Sequence, residues 1–324
     1  MSLSVVALSA LSLLACSARK PPADTASTTV ETTDDGTGSD STDSDSTDPD
    51  STDPSVPQGP VLLVSAYTSG TVYRLDTASG LILGDLGSVP GAQSVHPGPD
   101  GALYLVAEAI NQVIRRVDGV NAPFVFDDPE TDEDETGGLS SPTSAVWGPD
   151  GLLYVGGFAS DSVHRFDAEG AFVDVFVRGG TPGGIAGLDG PDAGLRFGPD
   201  GDLYLPCFYG DRVLVLDAGT GELVRSLDDG TSRPRALHFD EADNLWVTAW
   251  GAGAVLRFGA DGARLDDLGA VAAPSGLVVG EEGAWVGTDQ TNMLTLLDVA
   301  TGEALRTIDG AALGMEGVTW LTWE

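Results

Sequence analysis

Residues 98–104 read GPDGALY, residues 148–154 read GPDGLLY, and residues 198–204 read GPDGDLY. Each copy sets an Asp-Gly turn before an apolar, aromatic run. Hairpin turns need positive φ, and Gly supplies it without steric cost. The match extends in both directions: SVHPGPDGALYLVAEAINQVIRRVD (94–118), SAVWGPDGLLYVGGFASDSVHRFD (144–167) and GLRFGPDGDLYLPCFYGDRVLVLD (194–217) are variants of one sentence. Looser copies follow at 236–259 and 276–298. LLVSAYTSGTVYRLD (62–76) has only the second half, and the missing first half stands at the other end as EGVTWLTWE (316–324).

Each unit contains three short β-runs and usually a fourth, such as AFVDVFV (171–177) or EALRTI (303–308). The runs last four to six residues between turn signals, and no stretch keeps a helical period. A tandem four-strand unit of about 40–50 residues is the mark of a β-propeller. The second strand occurs six times, centred on Leu63, Tyr104, Tyr154, Tyr204, Trp246 and Trp285. The expected fold is therefore all-β: a six-bladed β-propeller of four-stranded blades, with the first blade closed by the C-terminal strand. Closure of this kind removes exposed strand edges. A seventh blade would require further strands within residues 120–142.

Three segments precede or form this domain: residues 1–15, residues 16–60 and the propeller at 61–324. LSVVALSALSLLA (3–15) is an apolar run of signal-peptide length, too short to span a bilayer. It ends in Leu13-Leu14-Ala15-Cys16, which resembles the lipobox of bacterial lipoproteins. The resemblance implies cleavage before Cys16, lipid on its thiol, and a place in the bacterial cell envelope; Ser17 after the lipid-bearing Cys is compatible with sorting to the outer membrane. The plainer alternative is an ordinary secretory signal with an incidental Cys. The segment that follows is rich in Ser, Thr and Asp, with ten acids and two bases, and reads as a disordered, self-repelling tether.

The whole chain of 324 residues carries a formal charge of −35, of which −27 belongs to residues 61–324. Nucleic-acid binding needs a basic face, so nucleic acid is excluded as a partner. Peripheral docking on anionic lipid is excluded with it, leaving the lipid anchor as the membrane contact. Cys207 is the only thiol of the domain, lies in the apolar run LYLPCF, and reads as a small buried hydrophobe. A monomer is expected.

The repeat, best seen in DGALYLVAEAINQVIRRVD, resembles the NHL-repeat and SMP-30/gluconolactonase/streptogramin-lyase-like six-bladed propellers. That superfamily mixes hydrolases, lyases and binding modules, so it implies architecture more than activity. In such propellers the inner strand begins, and the second strand ends, at the ligand-binding face. Alignment then yields an inner ring of Gln93, Thr143, Ala193, Arg235, Ser275 and Glu316. A second ring, four residues past each aromatic, consists of Tyr67, Glu108, Phe158, Phe208, Trp250 and Asp289. One side of the mouth is rich in oxygen, the other in aromatic rings.

Glu316, Glu108 and Asp289 are the candidate ligands for a hard cation such as Ca²⁺. The aromatic side suits a sugar ring or an apolar ligand. The bland alternative has the carboxylates paired with Arg235 and the aromatics wedged between blades. The lactonase resemblance implies a metal-dependent hydrolase or lyase centred on Glu316, and the lyase resemblance implies mouth histidines. His96 and His238 hold matching inner-strand positions three residues past the ring, whereas His164 falls on a third strand. The acidic loop 127–141 and the Gly-rich loop 178–192 are expected at the mouth face. Two functions stay open: a binding or scaffolding module for a glycan, peptide or envelope protein, and the metal-dependent enzyme.

Overall fold

The computed structural model describes residues 56–127, 134–180 and 183–324, so the signal segment, Cys16 and nearly all of the tether lie outside the described residues. Residues 61–324 form six four-stranded antiparallel sheets arranged as blades. The inner strands are Ala92–Pro97, Pro142–Trp147, Arg196–Phe197, Pro234–Phe239 and Pro274–Gly280 for blades 2 to 6. Blade 1 takes its inner strand, Val318–Trp323, from the C-terminus, which pairs antiparallel with Val61–Ala66. A bidentate Arg74–Glu324 ion pair, at 2.6 and 2.7 Å, tightens the junction. Six blades are thus confirmed: residues 120–142 supply the outer strand Val120–Val125 of blade 2 and the start of blade 3, and nothing more among the described residues.

The heptad has a physical reading, position by position. Asp100 Oδ1 accepts the Ala102 N–H (3.1 Å) and Oδ2 accepts the Tyr104 hydroxyl (3.1 Å). The same pairs recur at Asp150–Tyr154 (2.9 Å) and Asp200–Tyr204 (2.7 Å). A Cβ on Gly98 would lie 2.2 Å from the Tyr104 ring, so only Gly leaves room for it. Each tyrosine then meets, edge to face, an aromatic of the next blade's inner strand: Trp147 at 5.3 Å, Phe197 at 5.2 Å and Phe239 at 4.9 Å. One heptad therefore makes a turn and an inter-blade wedge at once.

Between the second and third strands, Asn111, Asp161, Asp211 and Asn292 adopt positive φ, a conformation that Asn and Asp tolerate better than most residues. Each side-chain oxygen accepts the N–H of a residue just before the next inner strand: Ser141 (2.9 Å), Gly190 (2.8 Å), Arg233 (2.9 Å) and Gly317 (2.6 Å). Around the axis, hydroxyls bridge neighbouring inner strands: Ser94 to Thr143 O, Thr143 to Pro191 O, Ser275 to Val318 O and Thr319 to Ala92 O. Cys207 is fully buried, its thiol pushed up to about 12 by burial, as its apolar setting implied.

Candidate functional site

Where inner strands begin and second strands end, a cavity of about 240 Å³ is lined by Gln93, Glu108, Thr143, Phe158, Asp192, Phe208, Tyr209, Arg235, Trp250 and Asp289. Eight of the twelve ring residues expected from the sequence line this cavity: Gln93, Thr143, Glu108, Phe158, Phe208, Arg235, Trp250 and Asp289. Their convergence follows from the blade repeat, since residues at one register of successive blades face one opening.

Arg235 organises the polar floor. It is buried and donates to two carboxylates, through Nε to Asp192 Oδ2 (3.0 Å) and through Nη1 to Asp289 Oδ2 (2.6 Å). Burial works against its charge, but Asp192 and Asp289 outweigh that and raise its pKa. Asp289 also accepts the Trp250 indole N–H at 3.0 Å. Across the cavity, Gln93 Nε2 donates to Glu108 Oε2. Burial pushes the Glu108 carboxyl above its ordinary range, against the Gln93 bond; the Asp192 charge adds to the rise and Arg235 opposes it. Gln93 Oε1 is buried with no donor among the described residues.

The aromatic side is a continuous row. Phe158, Tyr209, Phe208 and Trp250 follow one another at centroid distances of 5.4, 5.2 and 5.7 Å. Arg233 lies over Phe208 (5.4 Å) and Trp250 (5.3 Å). Tyr209 is 58% exposed, so the row opens to solvent as well as wedging blades. Backbone bonds from Phe208 N to Gly190 O (2.9 Å) and Tyr209 N to Asp189 O (3.1 Å) seat the described end of the Gly-rich loop here. The acidic loop likewise reaches the mouth at its described end, where Phe158 N donates to Ser141 O (2.9 Å). Residues 128–133 of that loop and 181–182 of the other lie outside the described residues.

Four ring residues are placed elsewhere: Ala193 and Ser275 are buried, and Tyr67 and Glu316 are exposed. Tyr67 is exposed beside the cavity rather than lining it, its hydroxyl pushed up by burial and by the Glu108 charge. Glu316 is exposed and meets its neighbours through its backbone, with its carbonyl accepting from Thr68 N (3.0 Å) and Ser69 N (3.2 Å). Register explains the error. Leu105 pairs with Val95, two residues past Gln93; Val64 pairs with Leu321, two past Thr319. The sixth inner-ring residue is therefore Thr319, and Glu316 belongs to the connection before the strand.

The calcium ligand set of Glu316, Glu108 and Asp289 is accordingly corrected. Glu316 stands outside the cavity, Asp289 is engaged by Arg235 and Trp250, and Glu108 by Gln93. Among the described residues no three carboxylate, imidazole or thiol groups are grouped to hold a metal ion. The residues present do not fit the cation.

Asp192, Tyr209 and Arg233 escaped the sequence reading. Asp192 lies one residue before the aligned Ala193 and reaches the cavity because its short inner strand, Arg196–Phe197, begins late. The bridge Pro191–Cys207 holds that approach in place. His164 has a structural task, with Nε2 bonded to Ser162 Oγ (2.8 Å) and Nδ1 to Thr136 O (3.0 Å), tying the preceding loop to blade 3.

No protein-family model matches the chain, and no curated protein matches it. Among solved structures, it is similar to a chain of a nidogen/laminin complex, with 16% identity, a TM-score of 0.65, and coverage of 82% of this chain and 98% of that one. A Bacteroides caccae protein of unknown function is similar with 13% identity, a TM-score of 0.60, and coverage of 81% and 98%. A streptogramin B lyase follows at 14% identity, with a TM-score of 0.56 and coverage of 78% and 84%. At these identities the likeness establishes the fold: an all-β six-bladed propeller of four-stranded blades, closed by its C-terminal strand.

Proposed function

We propose that the protein is a binding module whose mouth takes a ligand with one flat apolar face and several hydrogen-bond donors, a glycan or a peptide segment of an envelope partner. The observation that carries this is the open aromatic row set beside a polar floor whose side chains already pair with one another. Such a floor is rigid before the ligand arrives, and preorganisation lowers the entropic cost of binding. Three carboxylates face one buried guanidinium in the cavity, so acceptors outnumber donors and an anionic ligand is disfavoured. The rival metal-dependent hydrolase has its named centre, Glu316, outside this cavity. The nidogen/laminin structure supplies a compatible precedent, in which a chain of this fold stands in a protein complex.

The apolar run 3–15 that stops at Cys16 supports a lipid anchor on that thiol, with the Asp-rich segment as its spacer to the bacterial envelope membrane. Labelling cells with palmitate and comparing Cys16→Ser tests this half of the reading: label retained by the variant would refute it.

For the mouth, the full chain is screened against glycan and peptide arrays together with Trp250→Ala. Hits should weaken at least tenfold in the variant, about 1.4 kcal/mol, while its melting temperature stays within a few degrees. Hits that the variant binds equally well would place recognition elsewhere.

A further inference from the structure

Three residues past the mouth ring, the inner strands carry a second layer. His96 pairs with Tyr104, Arg196 with Tyr204 and His238 with Trp246, so three blades set these side chains at one level of the axial channel. Blades 3 and 6 contribute Val146 and Val278 at the same register. The layer thus interleaves nitrogen-bearing and apolar side chains around the axis, with Arg196 as its one cation.

Three nitrogens at or beside this layer are buried without a partner. The Arg196 side chain makes no ion pair or hydrogen bond among the described residues, and its Nε is buried without a partner. His96 is 7% exposed, and its Nε2 is buried without a partner. Trp320, 1% exposed, presents an equally unpartnered indole N–H. These groups adjoin one another: the Arg196 guanidinium lies 5.9 Å from the Trp320 ring centroid, and the His96 and Trp320 rings are 5.2 Å apart. Burial lowers the Arg196 pKa to about 10, and no carboxylate lies near enough to oppose it. One buried guanidinium nitrogen and two buried ring nitrogens without partners are costly in a folded protein. The other arginine of the channel, Arg235, has two carboxylates, which makes the isolation of Arg196 the more informative.

We propose that the axial channel binds a small inorganic anion, held by the Arg196 guanidinium with the His96 and Trp320 ring N–H groups. Charge and hydrogen-bond inventory agree on this: the Arg196 guanidinium and the Trp320 indole N–H can only donate, His96 Nε2 donates in its Nε2–H tautomer, and the charge among the three is positive. His238 of the same layer also borders a second opening, away from the mouth cavity. There His238, Phe239, Val279 and Trp323 help to line a cleft of about 720 Å³. The rim of that cleft carries Asp240, Glu241, Glu281 and Glu282, a negative collar whose repulsion of an entering anion falls as salt screens it. The mouth and its ligand are independent of this site.

The full chain, prepared in chloride-free isethionate buffer at constant ionic strength, is melted against rising chloride and, separately, sulfate. The wild-type midpoint should rise saturably, by roughly 5 °C or more at a hundredfold excess over Kd. Arg196→Met, which removes the charge and keeps the volume, should be insensitive to either ion. A larger response to chloride marks a monatomic site, and a larger response to sulfate an oxyanion site. A flat wild-type curve, or a rise that the variant reproduces, overturns the proposal. Should Arg196→Met fail to fold, a bromide-soaked wild-type crystal decides: an anomalous peak within about 3.5 Å of the guanidinium supports the site, and its absence refutes it.

Discussion

Arg235 and Glu108 show how single side chains set the character of the mouth. Arg235 holds Asp192, 3% exposed, and Asp289 together, so removing it strands a buried carboxylate. Arg235→Met should lower stability by about 3–5 kcal/mol, as is usual when one partner of a buried pair is deleted, and urea unfolding measures it. Glu108 has the opposite sign. Its folded pKa is raised above the ordinary 4.5, so its cost is absent at acid pH and grows as pH climbs through the folded value. Glu108→Gln, which keeps an acceptor for Gln93, should therefore be more stable than wild type at pH 7 and equal to it near pH 3. A variant that is less stable at pH 7 would show that the ionised carboxylate is favoured in the mouth.

At the scale of the element, the blade is built from turns that serve two purposes. Asp211 takes φ of 53° and accepts the Arg233 N–H at 2.9 Å, so it fixes its own turn and the entry to the next inner strand. Asp211→Ala should cost about 2–3 kcal/mol, combining left-handed strain with a lost hydrogen bond. Asp211→Asn keeps both features and should change the denaturant midpoint little. The heptad pair Asp150–Tyr154 is coupled in the same sense. Each single variant, Asp150→Ala and Tyr154→Phe, breaks the same bond, so the double variant should fall short of the sum by about 0.5 kcal/mol or more. These elements were legible beforehand because turn chemistry is local: Asp-Gly announces positive φ whatever surrounds it. What the heptad could not announce is the partner of each tyrosine, since Trp147, Phe197 and Phe239 belong to the following blade.

For the whole molecule, closure and acid stability are the shared properties. Deleting residues 318–324 removes the inner strand of blade 1 and uncovers the edge of Val61–Ala66. The truncated chain should lose its single cooperative thermal transition and aggregate, and calorimetry tests this directly. His96 is pushed down to about 3 and His238 to about 4, by burial first and by the Arg196 charge second. The unfolded chain takes up these protons near the ordinary 6.5, so stability is complete above that pH and is lost as pH falls toward 4. Each histidine should contribute a slope of about 1.4 kcal/mol per pH unit in that window, which His96→Gln with His238→Gln flattens.

Repeat, blade count and closure were determined by the chain alone, because strand period, turn residues and a half-unit at each end are written in local order. Eight mouth residues were legible for the same reason, as positions at a constant offset within a repeated unit. The offset failed for Glu316, where the repeat is split between the two termini and only strand pairing reveals that Thr319 holds the position. It failed differently for Asp192 and Arg196, whose significance depends on partners found or lacking in other blades. Which carboxylates meet Arg235, and that none meets Arg196, is decided by tertiary structure, because electrostatic pairing depends on distance through space between residues that the sequence sets 40 or more positions apart.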